Sequence, residues 1–152
     1  MAAFSARGGW WLFGQAPLML LAFGLPPWLG VLSSGPPRWT AAALLAAGMI
    51  LGWSSRRALG PSFTAFPKPV ESGSHVARGP YRFVRHPMYV AIVIASAGWA
   101  LLWQSAAGAA LAALLLVFFD LKSRREERWL ESAYPTYGEY KRRVRKFVPY
   151  VY

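Results

Sequence analysis

Uncharged runs alternate with basic segments along this chain. No charged residue occurs between residues 10 and 37; residues 39–55 form a second uncharged stretch and residues 87–119 a third. Such runs predict membrane helices. The third is too long for one span, since 33 residues of helix would run roughly 50 Å against a hydrocarbon core of about 30 Å. A break at Trp103-Gln104-Ser105 divides it into two shorter helices that borrow a turn from the flanking basic segments by snorkelling. The pattern predicts an all-α integral membrane protein of one domain, with helices over residues 10–33, 39–56, 87–103 and 105–131. The last two form a hairpin, residues 57–86 a long connector, and residues 132–152 a cytoplasmic tail with an amphipathic helix. Pro17 and the pair Pro26-Pro27 should kink the first helix near its far end, where neighbouring helices or water must satisfy the freed carbonyls. Gly48, Gly52, Gly98 and Gly108 suit close contact between helices.

The basic residues agree with this topology. Six fall between the second and third runs and nine follow the third. With two spans in the third run, sixteen of the seventeen basic residues share one side, leaving Arg38 opposite. Both termini are therefore expected on the cytoplasmic side of a multi-pass protein, in a setting like a prokaryotic inner membrane. The same distribution accounts for the net charge of +11 without nucleic acid. At 55% hydrophobic and 16% aromatic residues, with a mean hydropathy of +0.28, an ordinary soluble domain is excluded. Trp10, Trp11, Trp28, Trp39, Trp53, Trp99 and Trp103 fall near predicted helix ends, as in an aromatic belt. With no cysteine, two histidines and six acids, no resident metal is expected.

Chemistry concentrates at two places that bracket the predicted hairpin. The first is GPYRFVRHPMY, residues 79–89. Pro87 suits the first helical position, so His86 stands at the helix mouth where free N–H groups favour an anion. Tyr81 and Tyr89 add flat faces and hydroxyls, and Arg82 and Arg85 add donors. The second place is Arg124-Arg125-Glu126-Glu127, whose two acids are the only adjacent pair in the chain. Lys122 lies one turn before Glu126 on the same helix face. A hairpin brings these clusters together, and the Pro-, Gly- and Ser-rich connector supplies backbone groups beside them.

GPYRFVRHPMY, an apolar hairpin and then REERWLESAYPTYGEYKRRVRKFVP resemble the isoprenylcysteine carboxyl methyltransferase and phospholipid N-methyltransferase superfamily over residues 60–149. The resemblance implies an S-adenosylmethionine site, with S-adenosylhomocysteine as product. That site would comprise Arg85, His86, Pro87 and Tyr89, the upstream Tyr81, the backbone around Ser74, His75 and Val76, and Glu126 with Leu130. Lys122 stands where carboxyl methyltransferases place a substrate-contacting arginine. Catalysis would fall to Glu126, Glu127 and Lys122, and an acceptor's anionic group to Lys122, Arg125 and Arg82; for an amine acceptor, Glu127 or His86 would take the proton. The implied partner is a membrane lipid or lipidated substrate, either a phospholipid amine or a prenylcysteine-like carboxylate. Two other readings stay open: a membrane reductase using a nicotinamide cofactor, and a non-enzymatic module whose basic tail grips anionic lipid.

Overall fold

The computed structural model describes residues 8–29, 37–69 and 73–152. Five helices carry the fold: α1 (Trp10–Gly24), α2 (Arg38–Leu59), α3 (Pro87–Leu102), α4 (Ala106–Ala133) and α5 (Tyr137–Arg143). Short 3₁₀ turns occupy Gly60–Ser62 and Gly79–Arg82. The described residues contain no strand, only an isolated parallel bridge between Val84 and Arg145. Among them α4 alone is long and apolar enough to cross a membrane; α1 and α3 are apolar but shorter. Large apolar side chains face outward all along the bundle, among them Leu20, Trp28, Trp39, Met49, Ile50 and Trp53. So much exposed apolar surface marks association with a membrane or a partner.

The hairpin turns at Gln104, as the sequence predicts. Helix α3 ends in a left-handed cap: Gln104 has φ 51°, its N–H donates to Leu101 O at 3.0 Å, and the Ser105 N–H donates to Ala100 O at 2.9 Å. Ser105 then caps α4, its hydroxyl accepting from the Gly108 N–H at 3.1 Å while donating to Leu29 O at 2.8 Å. Helix α2 packs on α3, α3 on α4, and α1 chiefly on α4. The first of these contacts is close because glycines face backbone. A Cβ at Gly48 would lie 2.6 Å from Ala95 N, and one at Gly98 would lie 2.5 Å from Leu45 N. Ala22, Leu115, Phe119 and Phe147 centre the core.

Helix α1 ends earlier than expected. It stops at Gly24 instead of running to residue 33, because Pro26 and Pro27 have no N–H with which to continue the ladder. The Phe23 carbonyl, which Pro27 cannot bond, accepts from the Trp99 indole at 2.8 Å. Trp99 is thus a tie between helices rather than only a member of an aromatic belt. Residues 30–33 of the expected helix, Arg7, and residues 70–72 of the connector lie outside the described residues.

The tail is the larger departure. Helix α5 spans seven residues, and the chain beyond it returns to the start of α3. The Arg85 N–H donates to Arg145 O at 2.8 Å, and the His86 N–H donates to Lys146 O at 3.2 Å. Asp120, where the apolar run of α4 ends, fastens the rest. It contacts Lys146 Nζ at 2.5 Å and Arg124 Nη2 at 2.6 Å, and accepts from the Tyr152 hydroxyl at 2.8 Å. A charge pattern read along the chain predicts a solvated amphipathic helix; backbone pairing with residues 85 and 86 has no local signature.

Candidate functional site

The two sequence clusters meet at the charged end of the α3–α4 hairpin. Glu127 points into the protein and is 4% exposed. Its Oε1 accepts from Arg85 Nε at 2.9 Å and from His86 Nε2 at 3.1 Å, and its Oε2 lies 3.1 Å from Lys141 Nζ. Arg85 also donates to the carbonyls of Lys141 and Val144, at 3.1 and 2.6 Å. The network thereby locks the tail against the hairpin. Adjacent helical residues project about 100° apart. Glu126 accordingly faces elsewhere, onto a cavity of about 220 Å³, and its Oε2 accepts from the Tyr89 hydroxyl at 2.6 Å. Its Oε1 takes no hydrogen bond from the described residues.

Stacking fixes the rings between the two carboxylates. His86 lies parallel to Tyr89 at 5.4 Å, and Tyr89 parallel to Phe119 at 4.5 Å. With Nε2–H donating to Glu127, a neutral His86 ring carries its lone pair on Nδ1, which lies 3.9 Å from Glu126 Oε2. Lys122 crosses the cavity wall with 1% exposure. Its ammonium donates to Gln15 Oε1 at 2.5 Å and Ala65 O at 3.1 Å, and lies 5.4 Å from the centre of the Tyr89 ring. No carboxylate among the described residues pairs with it, so a buried cation is held by neutral oxygens alone.

The opposite wall is aromatic. The His75 ring packs against Tyr134, Tyr137 and Tyr140 at 6.1, 5.4 and 4.6 Å. The Tyr140 hydroxyl donates to Tyr81 O at 2.6 Å. Burial lowers the His75 pKa, keeping the ring neutral. Burial and then the nearby carboxylates raise the phenols of Tyr81 and Tyr137, and burial likewise raises Tyr140. These tyrosines stay protonated. Among the described residues two buried side-chain polar atoms have no hydrogen-bond partner, His75 Nε2 and Tyr137 Oη.

Ser74, His75, Val76, Tyr81, Arg85, His86, Tyr89, Lys122, Glu126 and Leu130 all line this one cavity. Four residues expected at the site stand outside it. Pro87 is buried as the first residue of α3, and Glu127 is committed to Arg85, His86 and Lys141. Arg82 is exposed in a separate arginine-lined pocket, and Arg125 stacks on Trp129 at 4.7 Å. Charge along a sequence does not say which way a surface side chain turns. The sequence reading also passed over Gln15 and the lining face formed by Tyr134, Tyr137 and Tyr140. Both leave signals: Gln15 is the one amide or charged side chain in α1, and the tyrosines recur at intervals of three. Among the described residues no three metal-ligating side chains converge.

The chain matches the phospholipid methyltransferase family over residues 37–137, a span that contains both clusters and the hairpin between them. It is 31% identical over 144 residues to the cobalt-zinc-cadmium resistance protein CzcN of Cupriavidus metallidurans, covering 93% of this chain and 62% of that protein. It is 30% identical over 113 residues to the nickel-cobalt-cadmium resistance protein NccN of Alcaligenes xylosoxydans xylosoxydans, covering 73% of this chain and 52% of the relative. The chain thus spans between half and two thirds of the length of these curated relatives. With the family match extending over both site motifs and most of the helical bundle, the chain belongs to the phospholipid methyltransferase family, within the isoprenylcysteine/phospholipid methyltransferase superfamily.

Proposed function

We propose that this chain is an integral-membrane, S-adenosylmethionine-dependent methyltransferase with four spans and a cytoplasmic cavity, acting on a lipid-borne or amphipathic acceptor. One observation carries the reading. Glu126, Lys122, Tyr89 and the unpartnered atoms of His75 and Tyr137 converge in a single cavity at the end of an apolar helical hairpin. The bundle's outward apolar side chains and the basic residues gathered near the cavity support the membrane setting.

The donor set fits the cofactor's chemistry. Glu126 has an oxygen free to accept from a hydroxyl or ammonium group, and His75 Nε2 and Tyr137 Oη are buried atoms that a polar ligand would satisfy. Tyr81 and Tyr89 offer apolar faces beside them. Bound there, the cofactor would supply a methyl group on an electrophilic sulfonium, so the protein's part is positioning and the exclusion of water. Lys122 presents an unpaired cation to an acceptor's phosphate or carboxylate. For an amine acceptor, His86 takes the proton at Nδ1, and Glu127, at the ring's other nitrogen, stabilises the resulting charge. Glu127 then positions the histidine rather than touching the acceptor. The relatives' metal-resistance names fit an indirect contribution, through a methylated membrane component.

Calorimetry on detergent-purified protein should give heat with S-adenosylhomocysteine and none with NADPH. Transfer of labelled methyl groups from S-adenosylmethionine to a phospholipid amine or a prenylcysteine analogue then identifies the acceptor class. Lys122→Ala should raise the acceptor KM while leaving S-adenosylhomocysteine affinity within about threefold. Heat with NADPH alone would replace this reading with a reductase, and heat with neither ligand would remove the enzyme.

A further inference from the structure

A second pocket, of about 210 Å³, shares no lining residue with the first. Arg82, Phe83, Arg142, Arg143, Arg145 and Tyr150 form its walls. The chain's return creates it. The Val84–Arg145 bridge sets the segment before α3 beside the segment after α5, bringing guanidinium groups some sixty residues apart in sequence to one place. Arg143 pairs with Glu139 at 3.1 Å. The side chains of Arg82, Arg142 and Arg145 have no hydrogen bond or ion pair among the described residues, and no carboxylate lines the pocket. Like charges held this close repel one another unless an anion joins them.

The position of the pocket narrows the anion's source. The Tyr152 hydroxyl and Lys146 bind Asp120, so residues 148–152 lie at the end of the apolar run of α4, where Val117 and Leu121 face outward. Val148, Tyr150 and Val151 are 48%, 89% and 75% exposed there. Tyr150 also forms a wall of the arginine pocket, and its φ of 65° is unusual for an aromatic residue. Phe83, 59% exposed, forms another. An apolar rim continuous with the end of a membrane helix, around unpaired arginines, matches a phospholipid: acyl chains against the rim, phosphate against the guanidiniums.

We infer that this pocket binds the phosphodiester headgroup of an anionic bilayer lipid, separately from the cofactor cavity and resting on the membrane reading above. The test uses the full chain in phosphatidylcholine nanodiscs, titrated with phosphatidylglycerol and read by native mass spectrometry. Arg82→Gln/Arg145→Gln should weaken phosphatidylglycerol binding about thirtyfold, two basic residues at roughly 1 kcal/mol each at a membrane surface. Arg57→Gln/Arg128→Gln removes the same charge elsewhere and should leave binding unchanged. Equal losses in the two variants would reduce the effect to general surface charge and overturn the site. Displacement of the lipid by millimolar inorganic phosphate would make it a soluble-anion site and overturn the lipid assignment. S-adenosylhomocysteine affinity should be unchanged in both variants. Failure to enter nanodiscs at all would count against the membrane reading, whereas reconstitution without lipid preference sinks only this inference.

Discussion

Glu126, Glu127 and Glu131 lie within six residues of one helix, and three conservative substitutions should separate their roles. Glu127→Gln removes a charge from a buried network in which the carboxylate meets Arg85, His86 and Lys141 at 2.9, 3.1 and 3.1 Å. Its side chain is 5% exposed, and those of Arg85 and His86 are 10% and 4%. Breaking one side of a buried pair costs about 3–5 kcal/mol. The lower end applies, because Lys141 keeps Glu131 at 2.8 Å and is itself 37% exposed. For a chain of this size, about 3 kcal/mol lowers the Tm by roughly 6–12 °C. Glu126→Gln keeps an oxygen for the Tyr89 hydroxyl, so stability should change by no more than about 1 kcal/mol. Its S-adenosylhomocysteine affinity should nonetheless fall about tenfold, equivalent to about 1.4 kcal/mol. Glu131→Gln touches an exposed pair and should alter neither quantity by more than about 0.5 kcal/mol. Differential scanning fluorimetry in detergent reads the first effect and calorimetry the second. A Glu127→Gln melt within about 2 °C of the parent would refute the buried network, and an affinity loss in Glu131→Gln matching that in Glu126→Gln would refute the cavity assignment.

Three further outcomes follow from the geometry. Gln104→Gly relieves a left-handed residue at the hairpin turn and should stabilise by about 0.5–1 kcal/mol, while Ser105→Ala, next to it, removes a cap and should cost about 1–2 kcal/mol; both are read from melting curves. Gly98→Ala drives a methyl group against the backbone of α2 and should cost at least about 1–3 kcal/mol, whereas Gly52→Ala, whose nearest contact is 3.5 Å, should be tolerated; equal melts would show that α2 and α3 are less closely packed. His75 is held neutral by burial, so its folded pKa lies below the ordinary 6.5 and the unfolded chain binds the proton more readily. Stability should therefore be full above pH 6.5 and fall as the pH drops below it, and His75→Gln should flatten that part of the Tm profile.

The parts of the site legible in the sequence are those that one short turn forces together. His86 and Glu126 are brought face to face by two apolar helices and Gln104, and the periodicity of each helix sets which side chains meet. Charge counting along the chain did not give individual contacts: Arg82 and Arg125 were expected beside the acceptor, yet turn to the outer surface. Nor does adjacency distinguish Glu126 from Glu127. Their separation into a cavity wall and a buried anchor depends on Lys141 and Arg85 arriving from other elements. The end of α1 was misplaced because a tandem proline can either kink or stop a helix, and here the Trp99 indole supplies the donor that lets it stop.

The pairing of residues 85 and 86 with 145 and 146 also imposes an order on biosynthesis. The α3–α4 hairpin joins neighbours in sequence and can assemble as soon as both helices have been made. Its charged mouth cannot. Arg85 finds the Val144 carbonyl, and its N–H finds Arg145, only after synthesis has passed those residues. At roughly 5–20 residues per second, the hairpin waits for about a second or more with its binding elements in place but unclosed. A nascent chain stalled before residue 144 would hold both signature motifs and still lack the backbone partners that fix Arg85 and His86, so the mouth of the hairpin takes its final form only when the tail is complete.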